Sequence, residues 1–109
     1  MDRTGFVAVR CTACAAHPAL DDTLREAVRG SRGGILVQSR CVLGEGCGGG
    51  FVVVQPCDDA RRATRPALRI GPVRSTADVA AVANWLRAGR LDPRDLPAHL
   101  IALPAASVN

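Results

Sequence analysis

The chain has no lysine and no tyrosine, and only one methionine, one tryptophan and two phenylalanines among its 109 residues. With Phe6, Phe51 and Trp85 as its only aromatics, its core must be built mainly from Val, Leu, Ile and Ala. It also lacks an aromatic platform on which nucleic-acid bases could stack. All 14 basic residues are arginine, against 10 acidic ones, for a formal net charge of +4. Arginine in place of lysine reads mainly as a compositional bias, and only weakly as a sign of carboxylate or phosphate partners. No apolar run approaches the roughly 18 residues of a membrane span, so no membrane is expected. Met1-Asp2-Arg3-Thr4-Gly5 leads into a strand-like segment without a signal-peptide hydrophobic region, so the expected location is cytoplasmic. A phosphate-binding loop is missing too, because Gly48-Gly-Gly50 leads into a strand instead of a helix; nucleotide binding is disfavoured.

What is present suits one α/β domain, with 48% hydrophobic residues. Gly5 to Arg10 reads as a first strand. After Cys11-Thr-Ala-Cys14 and a connection through His17 and Pro18, Asp21 and Asp22 are placed to cap a helix running to about Arg29. Leu20, Leu24, Ala27 and Val28 form its buried face. Ile35 to Gln38 is a second strand, reached through a helix and therefore parallel to the first by a right-handed crossover. Phe51 to Gln55 is a third strand stopped by Pro56. Cys57 to Pro66 suits an exposed hairpin loop, and Ala67 to Ile70 is the fourth strand. Ser75 with Asp78 three residues on forms a capping-box variant, opening a helix with Val79, Val82, Ala83 and Leu86 inward and Gly89 as its stop. Residues 91–109 read as a short packed C-terminal extension with mobile last residues.

Five cysteines in a cytoplasmic chain favour metal binding or redox chemistry over structural disulfides, and the odd count means that they do not all share one role. If the first two strands are parallel, their ends lie at one edge of the sheet. Cys11 and Cys14 leave the first strand there, and Cys41 follows the second. Cys47 precedes the third, which starts at the same edge. Four thiols in the pattern C-x2-C-x26-C-x5-C then converge from two loops. Cys57 is carried by the third strand to the opposite edge, about 20 Å away, and reads as a bystander. Four converging thiolates suit an iron–sulfur cluster or a structural zinc ion. The glycines at 44, 46, 48, 49 and 50 can aim backbone N–H groups at sulfur, and Arg40 adds positive charge, which suits an anionic cluster. C-x5-C is a poor second zinc knuckle, so the composition favours iron–sulfur while zinc stays open.

The run Ser39-Arg-Cys41-Val-Leu-Gly44-Glu-Gly-Cys47-Gly-Gly-Gly-Phe-Val-Val-Val54, followed by a hairpin, Ile70-Gly-Pro-Val73 and a capped final helix, resembles the thioredoxin-like [2Fe–2S] ferredoxins. The opening Val9-Arg-Cys11-Thr-Ala-Cys14 is similar to a related group of cysteine-rich proteins predicted to bind metal, which begin with C-x-x-C at this point. The likeness covers about residues 5–90. It implies a thioredoxin-like α/β fold, a four-stranded mixed sheet in the order β-α-β-β-β-α with packed helices. It also implies one [2Fe–2S] cluster per chain on four cysteines, one-electron transfer to a redox partner protein, and often a homodimer. Carried over residue by residue, Cys11, Cys41 and Cys47 match motif positions and Cys14 takes the place of the second ligand. The chain departs from the family in placing two residues between its first two ligands where about ten are usual, and five between the last two where three are usual. Such a protein is an electron carrier and not a catalyst by itself.

Other readings stay open beside this one. Cys11 and Cys14 could form a thiol–disulfide oxidoreductase motif, but Pro18 delays the helix that would lower a thiol pKa. The cysteines could also be unligated in a small binding domain. His17 and Glu45 read as solvated loop residues, and His99 has no partner readable from sequence. Asp58 and Asp59 read as loop charge beside Arg61 and Arg62. Arg61, Arg62 and Arg65 form the one small basic cluster, a solvated loop or a docking point for an acidic protein. The remaining arginines are scattered, which disfavours nucleic acid.

Overall fold

The computed structural model describes residues 5–11, 18–31, 33–39 and 50–102. Alternating Phe6, Ala8 and Arg10 with Val7 and Val9 makes β1 (Gly5–Cys11) a two-faced strand. It is joined by α1 (Leu20–Arg29) to β2 (Gly34–Ser39), which lies parallel to it. Next come β3 (Val52–Cys57), antiparallel to β1, and β4 (Leu68–Ile70), antiparallel to β3. The second helix, α2, spans Thr76–Ala88. The expected β-α-β-β-β-α order and four-stranded mixed sheet are therefore present. Two 3-10 turns and a two-residue β5 (Ile101–Ala102) then add a fifth strand beside β4, giving the order β2-β1-β3-β4-β5.

One face of the sheet, built on Phe6, Ala8, Val52, Val54 and Ile70, is buried under Leu20, Leu24 and Ala27 of α1 and the apolar side of α2. Each of the Phe, Leu, Ile and Val side chains, once buried, contributes roughly 1.5–3 kcal/mol. Leu91, Leu96 and Leu100 from the chain after α2 join the same core. Trp85 satisfies its buried indole by donating to the Asp92 carbonyl at 2.7 Å, which turns the chain back after α2. The Ser75–Asp78 capping box forms in full: Ser75 Oγ accepts from the Asp78 amide and Asp78 accepts from the Ser75 amide. Replacing Ser75 by alanine is expected to cost about 1 kcal/mol, read as a lowered thermal midpoint.

Two local expectations are corrected. Neither Asp21 nor Asp22 caps α1; its N-cap is Ala19, with no side-chain cap bond. Asp21 instead lies in the first turn and pairs with Arg10, still favourably placed at the positive end of the helix. Pro56 does not stop the third strand but sits inside β3, opposite Phe6. Its carbonyl accepts from the Thr64 amide, so its backbone edge faces away from β1. The β4 ladder reaches only Val54, so the missing N–H removes no bond of that ladder.

Candidate metal centre

The C-terminal ends of β1 and β2 lie side by side, with Cys11 in register with Ser39 and Arg10 with Gln38. On the other side of β1, Arg10 is in register with Val52, so β3 begins at this same edge. The chain leaves the edge at Cys11 and at Ser39 and returns to it at Gly50. Of Cys11 the backbone alone is described. Cys14, Cys41 and Cys47, together with His17, Arg40 and Glu45, lie outside the described residues. Among the described residues no group of three or more His, Cys, Asp or Glu side chains is gathered to hold a metal ion.

Two devices hold the margins of this edge. Arg10, on the helix-covered face one residue before Cys11, is 8% exposed and places Nε 2.7 Å from Asp21 Oδ1. That pair ties the end of β1 to the start of α1, and with it both ends of the connection that carries Cys14. The second device is backbone packing around Gly50, which has φ +76 and accepts from the Val73 amide at 2.9 Å. A Cβ at Gly50 would lie 2.8 Å from the Val73 carbonyl oxygen. The Gly71 amide in turn donates to the Leu100 carbonyl at 2.8 Å, so the chain after α2 also packs at this edge. On the opposite sheet face the Arg69 guanidinium carbon lies 5.6 Å from the Phe51 ring centre, where the chain has just re-entered the sheet.

Cys57 is in register with Gly5, the first residue of β1, at the far end of the sheet. It is 1% exposed, and an Arg61 guanidinium nitrogen lies 3.6 Å from its sulfur. The expected separation from Cys11 is present: six residues of β1 span about 20 Å. Around Cys57 the hairpin arginines have structural work. Arg61 also donates to the Gly33 carbonyl, and Arg65 donates to the carbonyls of Leu91 and Arg90 at 3.2 and 3.1 Å. Asp58 organises the turn by accepting from the amides of Ala60 and Arg62.

One contact had no signal in the sequence. His99 Nε2 lies 2.7 Å from Asp78 Oδ1, joining the chain after α2 to the first turn of that helix. The two residues are 21 positions apart and belong to no shared motif. The hydrogen bond from His99, followed by that from the Arg74 amide, lowers the Asp78 carboxyl from 3.8 to about 2. Asp92 is likewise lowered to about 2, first by the Arg94 side chain and then by the Arg94 amide. Both carboxyls are more acidic folded than unfolded. The stability they contribute is therefore complete above about pH 4 and lost as pH falls toward about 2. The thermal midpoint is expected to drop across that window. In a His99→Ala variant, a carboxyl NMR titration should show Asp78 moving back toward 3.8.

Comparison with known proteins returned no matching family model, and no significant match among curated proteins or solved structures. Among the described residues no helix is long and apolar enough to cross a membrane.

Proposed function

We propose that the chain is a thioredoxin-like electron carrier that holds one [2Fe–2S] cluster on Cys11, Cys14, Cys41 and Cys47. The observation that carries this reading is the shared edge, where the register of Cys11 with Ser39 and of Arg10 with Val52 brings three strand ends together. Cys14 follows Cys11 by three residues, Cys41 follows Ser39 by two, and Cys47 precedes Gly50 by three. Each is thus tethered within about 11 Å of extended chain from a position on that edge. The strand order β2-β1-β3-β4, with a parallel β-α-β half and an antiparallel β-β-α half, suits the thioredoxin-like arrangement.

Four thiolates are a fitting donor set for such a cluster. A bound cluster would supply a one-electron couple, and the chain's part is to hold it and select partners. Here β1 is paired on both sides, Arg10 with Asp21 fixes the start of α1, and Gly50 fixes the return of the glycine-rich loop. The dithiol oxidoreductase reading gains no support, because α1 begins only at Leu20, six residues beyond Cys14.

The test is anaerobic purification from iron-replete cells. Reddish-brown protein with equal iron and acid-labile sulfide, reversibly bleached by one electron, is the expected result. Colourless protein with stoichiometric zinc would overturn the electron-carrier reading in favour of a structural metal site. Metal-free folded protein with a reversible Cys11–Cys14 disulfide would overturn it in favour of the oxidoreductase.

A further inference from the structure

Both helices pack on one face of the sheet, and the other face is apolar as well. Its side chains fall in rows set by the register. Val37, Val9, Val53 and Arg69 stand side by side on β2, β1, β3 and β4, with Ile35 and Val7 in the row beside them. Val7, Val9 and Val53 are half-buried. Ile35 and Val37, each 39% exposed, are the exposed large hydrophobic residues among those described. Parallel strands that are apolar on both sides are ordinarily covered on both. Among the described residues, α1 and α2 cover only the face of Phe6 and Ala8.

Arg69, at the end of the row, says what kind of occupant fits. Its guanidinium lies over the Phe51 ring, yet its Nε is enclosed without a hydrogen-bond partner, and no described carboxylate pairs with it. A guanidinium held against a ring presents a fixed fork of donors suited to a carboxylate. The strand positions of this face hold no Asp or Glu, so a second copy laid on it face to face would bring Arg69 no acceptor. We propose that this face docks an amphipathic helix of an acidic partner protein. The helix sets aliphatic side chains over Val37, Val9 and Val53 and a carboxylate on Arg69.

The form of the occupant follows from the surface. A sheet face offers side chains and no free backbone groups, which suits a segment whose own backbone is already bonded, as in a helix. A helix about 10 Å across spans two strand spacings of about 4.8 Å. Laid along β1, it covers β2 to β3 and sets its flank beside Arg69. The net charge of +4 favours an acidic partner at longer range. The hairpin arginines Arg61 and Arg65 are engaged with backbone carbonyls, so on this face Arg69 supplies the cationic contact. The inference does not rest on the cluster reading, because none of these residues is a proposed ligand.

The test is a selection of displayed random peptides, each long enough for about four helical turns, on the native chain in reducing buffer. Enriched sequences are expected to carry aliphatic residues at helical spacing with Asp or Glu beside them. The best binder, synthesised, should shift the methyl NMR signals of Val7, Val9, Ile35, Val37 and Val53. Arg69→Gln should weaken that binder by about tenfold or more. Val37→Glu, which keeps Arg69, should do the same, and Arg62→Gln on the exposed hairpin should leave binding unchanged. Circular dichroism checks the fold of each variant, and either of the first two decides the result if the other is not native. Absence of enrichment, binders without acidic residues, shifts confined to another surface, or indifference to a natively folded Arg69 or Val37 variant overturns the proposal. So does a different occupant: self-association abolished by Val37→Glu, or Overhauser contacts from the chain's own residues 103–109 to those methyls. None of these readouts depends on iron content.

Discussion

A Cys57→Ser variant should keep its full complement of iron and sulfide, whereas serine at Cys11, Cys14, Cys41 or Cys47 should abolish the visible absorption. The contrast comes from strand geometry. Cys57 is level with Gly5, and Cys11 ends the same strand at the opposite edge. A ligand set cannot include both without breaking the β1–β3 ladder, because cluster sulfurs lie within a few ångströms of one another. Cys57 is also enclosed, at 1% exposure, so a serine there replaces a buried thiol beside a guanidinium that can donate to the new hydroxyl. That variant should lose about 1 kcal/mol of stability and remain folded. Iron and acid-labile sulfide assays on all five variants, with circular dichroism as the folding control, check the result. Loss of iron from the Cys57 variant alone would reverse the assignment.

The second large effect is expected at Gly50. Its φ of +76 disfavours any side chain, and an added Cβ would sit 2.8 Å from the backbone oxygen and 3.1 Å from the nitrogen of Val73. Backbone atoms cannot rotate away as a side chain would. The left-handed conformation and the overlap together should cost about 2–4 kcal/mol in Gly50→Ala. In a domain of this size that is a fall of about 10–20 °C in thermal midpoint. Gly89 is the control. It has nearly the same φ, +77, but nothing within 4 Å of its would-be Cβ, so Gly89→Ala should lose only about 1 kcal/mol. Differential scanning calorimetry of the two variants separates backbone conformation from close approach. Gly50→Ala should also impair cluster retention, since it shifts the point where the loop bearing Cys41 and Cys47 rejoins the sheet.

The parts of the fold readable in the sequence are those with a period or a strong local signal. The Val-rich strands alternate cleanly, the Ser75–Asp78 box is a local motif that forms as written, and the handedness of the β-α-β unit dictates which strand ends meet. The length of the third strand separated Cys57 from Cys11. The less readable parts depend on contacts between distant segments. β5 has two residues and no pattern of its own, and forms because Ile70 and Arg69 offer a free ladder edge. The start of α1 followed the Arg10–Asp21 pair instead of a cap. Pro56 is accommodated because the neighbouring ladder ends before it, which a single strand cannot reveal. Of the candidate site, connectivity made legible the edge where β1 and β2 end and β3 begins, while Cys14, Cys41 and Cys47 themselves lie outside the described residues.

The hairpin arginines make the far end of the sheet a suitable point of entry for engineering. Arg61 joins the loop to the turn before β2, Arg65 joins it to the chain after α2, and Asp58 closes the turn between them. The tip at Asp59 and Ala60 is exposed and carries none of those bonds through its side chains. A fluorophore or affinity tag spliced between these two residues would hang from a loop already anchored on both flanks. It would stand about 20 Å from Cys11 along the strand axis, leaving the cysteine-bearing edge free to be observed.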